Sequence, residues 1–251
     1  MELPGNEVHL YFSQPEQIAD PELLARYETL LTGDERTQMS RLYFARHRQQ
    51  YLITRALIRT TLSSYFPVEP ADWRFGKNGY GKPEITYPDT SWAVRFNLSH
   101  CDGLVLCGIT REHDIGVDVE DVQRSTGAAF DRLSSYFSAP EIAELAQLPP
   151  EQQKQRFFDY WTLKESYIKA RGMGLAIPLS KFTFRFVAGR LDGFELHPEL
   201  GDDANKWQFR RISMIHRYRL ALALNTDTDF KVKGFNTIPL QGCFSETLNF
   251  L

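Results

Sequence analysis

From Asp34 to Tyr65 neither proline nor glycine interrupts the chain, and Leu42, Leu52, Ala56 and Leu62 are among apolar positions that fall on a helical period. The spacing predicts one long helix ending before Pro67. From Trp73 to Glu120 the text changes to short β-rich runs punctuated by turn signals: Gly76 to Gly81, Pro88 with Asp89, and Arg111 to Asp114. The last turn separates the strands predicted at Leu104 to Ile109 and Ile115 to Val119. The same order then returns. Ser138, Ala139, Pro140 and Glu141 read as a capping box that opens a short helix, and Pro149 or Pro150 starts another that runs to about Arg171. Strands follow at Phe182 to Val187, Trp207 to Met214 and Arg217 to Leu224, the last two as a tight hairpin. Two helix-then-sheet halves joined near residue 111 predict an α+β architecture of two related lobes, residues 1–110 and 111–251. Ahead of them stand an apolar run, Val8 to Phe12, and a helix from Asp20 to Leu31 with an aspartate cap and Pro21 in its first position. The tail from Asp227 reads as turn-rich.

With 251 residues, of which 42% are hydrophobic, the chain can bury one large core or two smaller ones. A net charge of -3 argues against the uniformly basic surface that non-specific nucleic-acid binding needs. Cys101, Cys107 and Cys243 form neither an even disulfide framework nor a metal-spaced pair, which fits a reducing compartment. The first ten residues carry Glu2 and Glu7 and no basic segment leading into an apolar run, unlike a secretory signal. No run is long and apolar enough for a membrane span. A cytoplasmic protein with no membrane or nucleic-acid partner is the expectation.

Four groups of residues could carry chemistry. In Ile115 to Glu120 the strand period of two puts Asp118 and Glu120 on one face and Val117 and Val119 on the other. Like charges so close call for a cation between them, and paired oxygen ligands suit magnesium. Taken alone, the pattern fits a solvated strand end at least as well. In the helix predicted around Phe157 to Lys169, Trp161, Glu165 and Lys169 recur every four residues on one face; a core tryptophan beside a surface ion pair would look the same. Phe96 to His100 ends a strand with a hydroxyl and an imidazole suited to phosphate, preceded by the glycine-containing turn Lys77 to Pro83. An ordinary polar turn is the alternative, and no Walker A loop is present. Last, Arg41, Arg48, Arg55 and Arg59 form a basic stripe on the long helix, or a plain solvated face.

Together and in order, these elements resemble the Sfp-type 4'-phosphopantetheinyl transferases, whose hallmarks are a K-P element, an N-x-S-H element, a G-[IV]-D-x-E strand and a W-x-x-K-E-[AS]-x-x-K helix. The corresponding residues are Lys82 and Pro83, Asn97 to His100, Gly116 to Glu120, and Trp161 to Lys169. The resemblance covers residues 82 to 169, and the arginine-bearing helix before them is similar too. It implies two pseudo-symmetric α+β lobes with coenzyme A in the cleft between them, and transfer of phosphopantetheine to a serine of an apo acyl or peptidyl carrier protein, with 3',5'-ADP released. Such carriers serve fatty-acid, polyketide and non-ribosomal peptide synthesis.

The resemblance also implies roles. Asp118, Glu120 and Glu165 would hold Mg²⁺, with Glu165 and Lys169 the catalytic pair. Asp118, Lys164 and Lys169 would also face the coenzyme, Lys169 at its pyrophosphate, and Asn97, Ser99 and His100 would lie on its adenosine side. Arg48, Lys77 and Lys82, assisted by Arg55, would take the 3'-phosphate region. His47 departs from the aspartate that many relatives carry before the arginine. The glycine-flanked segment Lys169 to Ile177, mixing basic and apolar groups, is the expected carrier surface. Two lobes on one chain lead us to expect a monomer. A non-catalytic coenzyme A or carrier-binding module would not need the full charged set. A phosphohydrolase turning the same carboxylates on water would need no carrier.

Overall fold

In the computed structural model, which describes residues 1–124 and 136–251, the stretch expected as one long helix is two. The helices are α1 (Pro21–Leu30), α2 (Gly33–Ser40), α3 (Ala45–Ser63), α4 (Ala139–Gln147) and α5 (Pro150–Arg171). The strands are β1 (Glu7–Ser13), β2 (Arg74–Lys77), β3 (Pro83–Tyr87), β4 (Val94–Cys101), β5 (Leu104–Arg111), β6 (Ile115–Asp121), β7 (Phe182–Val187), β8 (Arg190–Leu196), β9 (Trp207–Met214), β10 (Tyr218–Asn225), β11 (Lys231–Ile238), β12 (Gly242–Glu246) and β13 (Asn249–Phe250). They fall into two compact units. The first comprises Met1–Asn78, Pro83–Glu112 and Phe230–Thr247; the second comprises Gly79–Lys82, His113–Asp229 and Leu248–Leu251.

In the first unit, Asp20 caps α1 by accepting from the Glu22 amide at 3.0 Å, and Thr32 with Glu35 closes a capping box on α2. The break before α3 has a visible cause. A continuous helix would pair the Leu42 and Tyr43 carbonyls with amides four residues on. Instead both accept from Arg48 Nη1 at 2.8 Å. Beyond the break, α3 buries Leu52, Ile53, Ala56, Leu57, Ile58 and Leu62. The sheet of this unit has the order β12-β11-β1-β5-β4, with β1 buried along its whole length. β1 pairs in parallel with β11, Val8 opposite Val232, and antiparallel with β5, Leu10 opposite Gly108. Residues 230–247, read from sequence as a turn-rich tail of the second lobe, thus supply two strands to the first unit. The β11 sequence mixes Lys231, Lys233, Gly234 and Asn236 with few apolar residues, so it is pairing with β1 and β12 that makes it a strand.

The second unit is built on an antiparallel sheet of order β13-β9-β10-β6, with β7 and β8 as a separate hairpin. Ile215 and His216, with φ of 46° and 53°, make the tight turn between β9 and β10. The core here is aromatic, with Phe157, Phe158, Tyr160, Tyr167, Phe182 and Phe184 buried beside Trp207. Helix α5 packs on β6 and β10 and stops where Gly172 enters the left-handed region at φ 66°. Gly116 governs the closeness of that packing. A Cβ there would lie 1.9 Å from the Ser166 carbonyl oxygen and 2.4 Å from the Ala170 nitrogen. Only glycine lets β6 and α5 approach in this way.

Candidate active site

The β6 residues alternate as expected, with Val117 and Val119 in the core. Asp118 and Glu120 point to the opposite face, where α5 presents Trp161, Glu165 and Lys169 on consecutive turns. Asp118 is 5% exposed, and its Oδ1 accepts from Lys169 Nζ at 2.6 Å. Lys169 also donates to the Val117 carbonyl at 3.3 Å. Glu120 Oε1 accepts from Trp161 Nε1 at 3.0 Å, and Oε2 lies 3.1 Å from Arg124 Nη1. The tryptophan of this helix face is therefore a carboxylate ligand as well as a packing residue.

Electrostatics mark these acids as a group. Burial, and after it the charge of Asp118, push Glu120 up to about 7, while Arg124, Trp161 and Lys169 pull it the other way. Glu165 is likewise raised to about 7 by burial and then by Asp118, against Lys169. Three carboxylates with one lysine among them carry excess negative charge, and their hard oxygens suit a small divalent cation. Among the described residues no three acidic, histidine or cysteine side chains are gathered into a metal-holding group as they stand. Cationic side chains contact Asp118 and Glu120 instead.

Two lysines of the expected ligand set belong to the frame of this site. Lys164 is fully buried, with Nζ 2.7 Å from Glu141 Oε2 and donating to the Leu179 and Phe182 carbonyls, each at 2.7 Å. Its three donor positions are filled, which corrects the expectation that it faces the coenzyme. Burial lowers it to about 8 even with Glu141 opposing. Glu141 also accepts from the Ser138 amide at 2.9 Å and the Phe184 amide at 2.8 Å, so the capping box read from sequence doubles as the anchor of Lys164. Lys82 donates to the Ile115 carbonyl at 3.1 Å and the Ala170 carbonyl at 2.9 Å, tying the start of β6 to the end of α5.

The remaining expected residues lie in the first unit. Arg55 and Lys77 come together with Arg74, Thr32, Asp34 and Glu35 around a polar cavity of about 660 Å³. Glu35 partly neutralises it, with Arg55 Nε at 3.5 Å and the buried Arg59 Nη2 at 2.7 Å. Arg48 is not among the residues lining this cavity; it holds the α2–α3 break. On β4, Asn97 and Ser99 are buried and His100 is exposed. Sequence reasoning missed Arg74 and Arg124. Arg124 stands four residues after Glu120, a spacing that hints at ion pairing only if a turn brings the two together.

Comparison with known proteins gives the same reading for both regions. Residues 20–110 match the family described as "4'-phosphopantetheinyl transferase, N-terminal", and residues 114–223 match the "4'-phosphopantetheinyl transferase superfamily". The 4'-phosphopantetheinyl transferase HetI of Nostoc is 35% identical over 179 residues, covering 69% of this chain and 72% of that one. A 4'-phosphopantetheinyl transferase of Bacillus subtilis is 31% identical over 198 residues, covering 78% and 83%. The transferase Sfp of Bacillus subtilis strain 168 is 28% identical over 197 residues, with the same coverages. Matches on both regions, together with the acidic strand face set against the Trp161, Glu165 and Lys169 helix face, establish that the chain belongs to the Sfp-type 4'-phosphopantetheinyl transferase superfamily.

Proposed function

We propose that this protein transfers 4'-phosphopantetheine from coenzyme A to a serine of an apo acyl or peptidyl carrier protein, with Asp118, Glu120, Glu165 and Lys169 as the reacting centre. Family membership carries the reaction class. The observation that carries the site is the set of three neighbouring carboxylates, two of them raised to about 7, with Lys169 bonded to the third.

In the reaction the serine hydroxyl oxygen attacks the β-phosphorus of coenzyme A, and the bridging P–O bond breaks. 3',5'-ADP leaves with that electron pair. Glu165, half-buried, takes the serine proton directly or through a water. Lys169 moves its charge from Asp118 toward the pyrophosphate. Asp118, Glu120 and Glu165 would hold Mg²⁺, which when bound neutralises charge on the pyrophosphate oxygens. Trp161 fixes the Glu120 carboxylate, and Lys82 fixes the β6–α5 distance.

For the coenzyme we propose Ser99, His100 and Asn97 on its adenosine side and Arg48, Arg55 and Lys77 around the 3'-phosphate. Two arginines and a lysine lining one polar cavity support part of this assignment. The segment after α5, where Leu175 is 74% exposed while Ile177 is buried, is the proposed carrier surface. A cytoplasmic monomer completes the proposal, supported by two family-matched regions on one chain.

Intact-mass spectrometry of apo carrier proteins incubated with the protein, coenzyme A and Mg²⁺ tests the proposal. A gain of one phosphopantetheine is expected, abolished by EDTA and by Asp118→Ala or Glu165→Ala. Full activity in either folded variant would overturn the site. No gain on any carrier despite coenzyme A binding would leave a binding module in its place.

A further inference from the structure

The turn that follows β6 is built, and it delivers a cation to the acidic face. Asp121 Oδ1 accepts from the Gln123 amide at 2.8 Å. Its Oδ2 receives Arg217 Nε at 3.0 Å and Nη2 at 2.8 Å. The Val122 amide donates to the Arg217 carbonyl at 2.9 Å, and the Arg124 amide to the Asp121 carbonyl at 3.2 Å. Held this way, Arg124 places Nη1 3.1 Å from Glu120 Oε2, with its guanidinium carbon 5.5 Å from the Phe158 ring centroid. Trp161 Nε1 occupies the other oxygen, Oε1. Both oxygens of Glu120 are thus engaged by side chains, one by a neutral donor and one by a full positive charge.

We propose that Arg124 is a competing counter-ion for Glu120, a positioning residue that sets how tightly the acidic face takes a divalent cation without taking part in the transfer itself. The inference rests on the reading of Asp118, Glu120 and Glu165 as the cation site. For folding, an ion pair whose arginine is 45% exposed counts for little. For a cation the same geometry matters more, because a doubly charged ion on Glu120 must displace the guanidinium from Oε2 and remain close to it. A unit charge about 5 Å from a divalent ion changes affinity by roughly tenfold even at the dielectric of water. Screening by salt and partial exposure reduce this to roughly three- to tenfold.

The test is Mn²⁺ binding to the full chain without coenzyme A, read at low ionic strength from the loss of the free-ion electron paramagnetic resonance signal. Arg124→Gln should bind Mn²⁺ roughly three- to tenfold more tightly than the parent, and Arg124→Lys, which keeps the charge, should stay within about twofold of it. In about 0.5 M KCl the gap between Arg124→Gln and the parent should narrow, as screening requires. Equal or weaker binding by Arg124→Gln, with the parent binding normally, would overturn the inference alone. Absence of Mn²⁺ binding in all three proteins would overturn the cation site and the inference with it.

Discussion

Asp118 is the acid on which the others depend: it carries the bond from Lys169, and its charge helps raise both Glu120 and Glu165. Because these two folded-state values, about 7, lie above the ordinary 4.5, the folded protein binds more protons than the unfolded chain between those limits. Their contribution to stability is fully present below about pH 4.5 and is lost as pH rises through about 7. In EDTA, the urea midpoint of the parent should therefore fall between pH 5 and pH 8 relative to a Glu120→Gln, Glu165→Gln double variant. Mg²⁺ at pH 8 should recover the difference in the parent only. An identical pH dependence of parent and variant would contradict the assignment. Lys164 answers to a different test. Lys164→Met leaves Glu141 charged and buried, so a loss of about 3–5 kcal/mol is expected in urea unfolding. Adding Glu141→Met should return part of it, and KM for coenzyme A in the folded fraction should not change.

The contact of β6 with α5 shows what an element owes to one missing methyl group. Gly116→Ala sets a carbon against the Ser166 carbonyl and the Ala170 amide, both fixed in helix backbone, so α5 must shift. A loss of about 3 kcal/mol or more is expected in urea unfolding, with weaker Mn²⁺ binding, since the shift separates Glu165 from Asp118. The two elements were legible in the sequence for local reasons. β6 shows period two, α5 opens on proline and closes on glycine, and Trp161, Glu165 and Lys169 repeat at helical spacing. What escaped was settled by tertiary contacts. The α2–α3 break depends on Arg48 reaching two carbonyls, where the pattern predicted unbroken helix. The K-E pair in the signature gave no sign that Lys164 turns inward to Glu141 while its neighbour Glu165 turns outward. Arg124 joins the site through a turn pinned by Arg217 from the turn between β9 and β10, which no window along the chain reveals.

Neither family-matched region, 20–110 or 114–223, reaches β11 and β12, yet the sheet of the first unit is incomplete without them. A chain ending at Asp229 would leave β1 with an open hydrogen-bonding edge along a fully buried strand. Such a truncation should aggregate or lose the cooperative unfolding of its first unit, as seen by urea titration followed by amide exchange; a soluble product with β1 amides protected as in the full chain would refute this. The same parallel pairing of β1 with β11 bears on how the molecule is made. During translation the strand synthesised first has to wait for Lys231 to Ile238 before it gains its second neighbour, just as β6 has to wait for Tyr218 to Leu224 of β10. The N-terminal segment therefore leaves the ribosome early and finishes folding late, and in that interval its apolar β1 depends on chaperones or on speed of synthesis for protection.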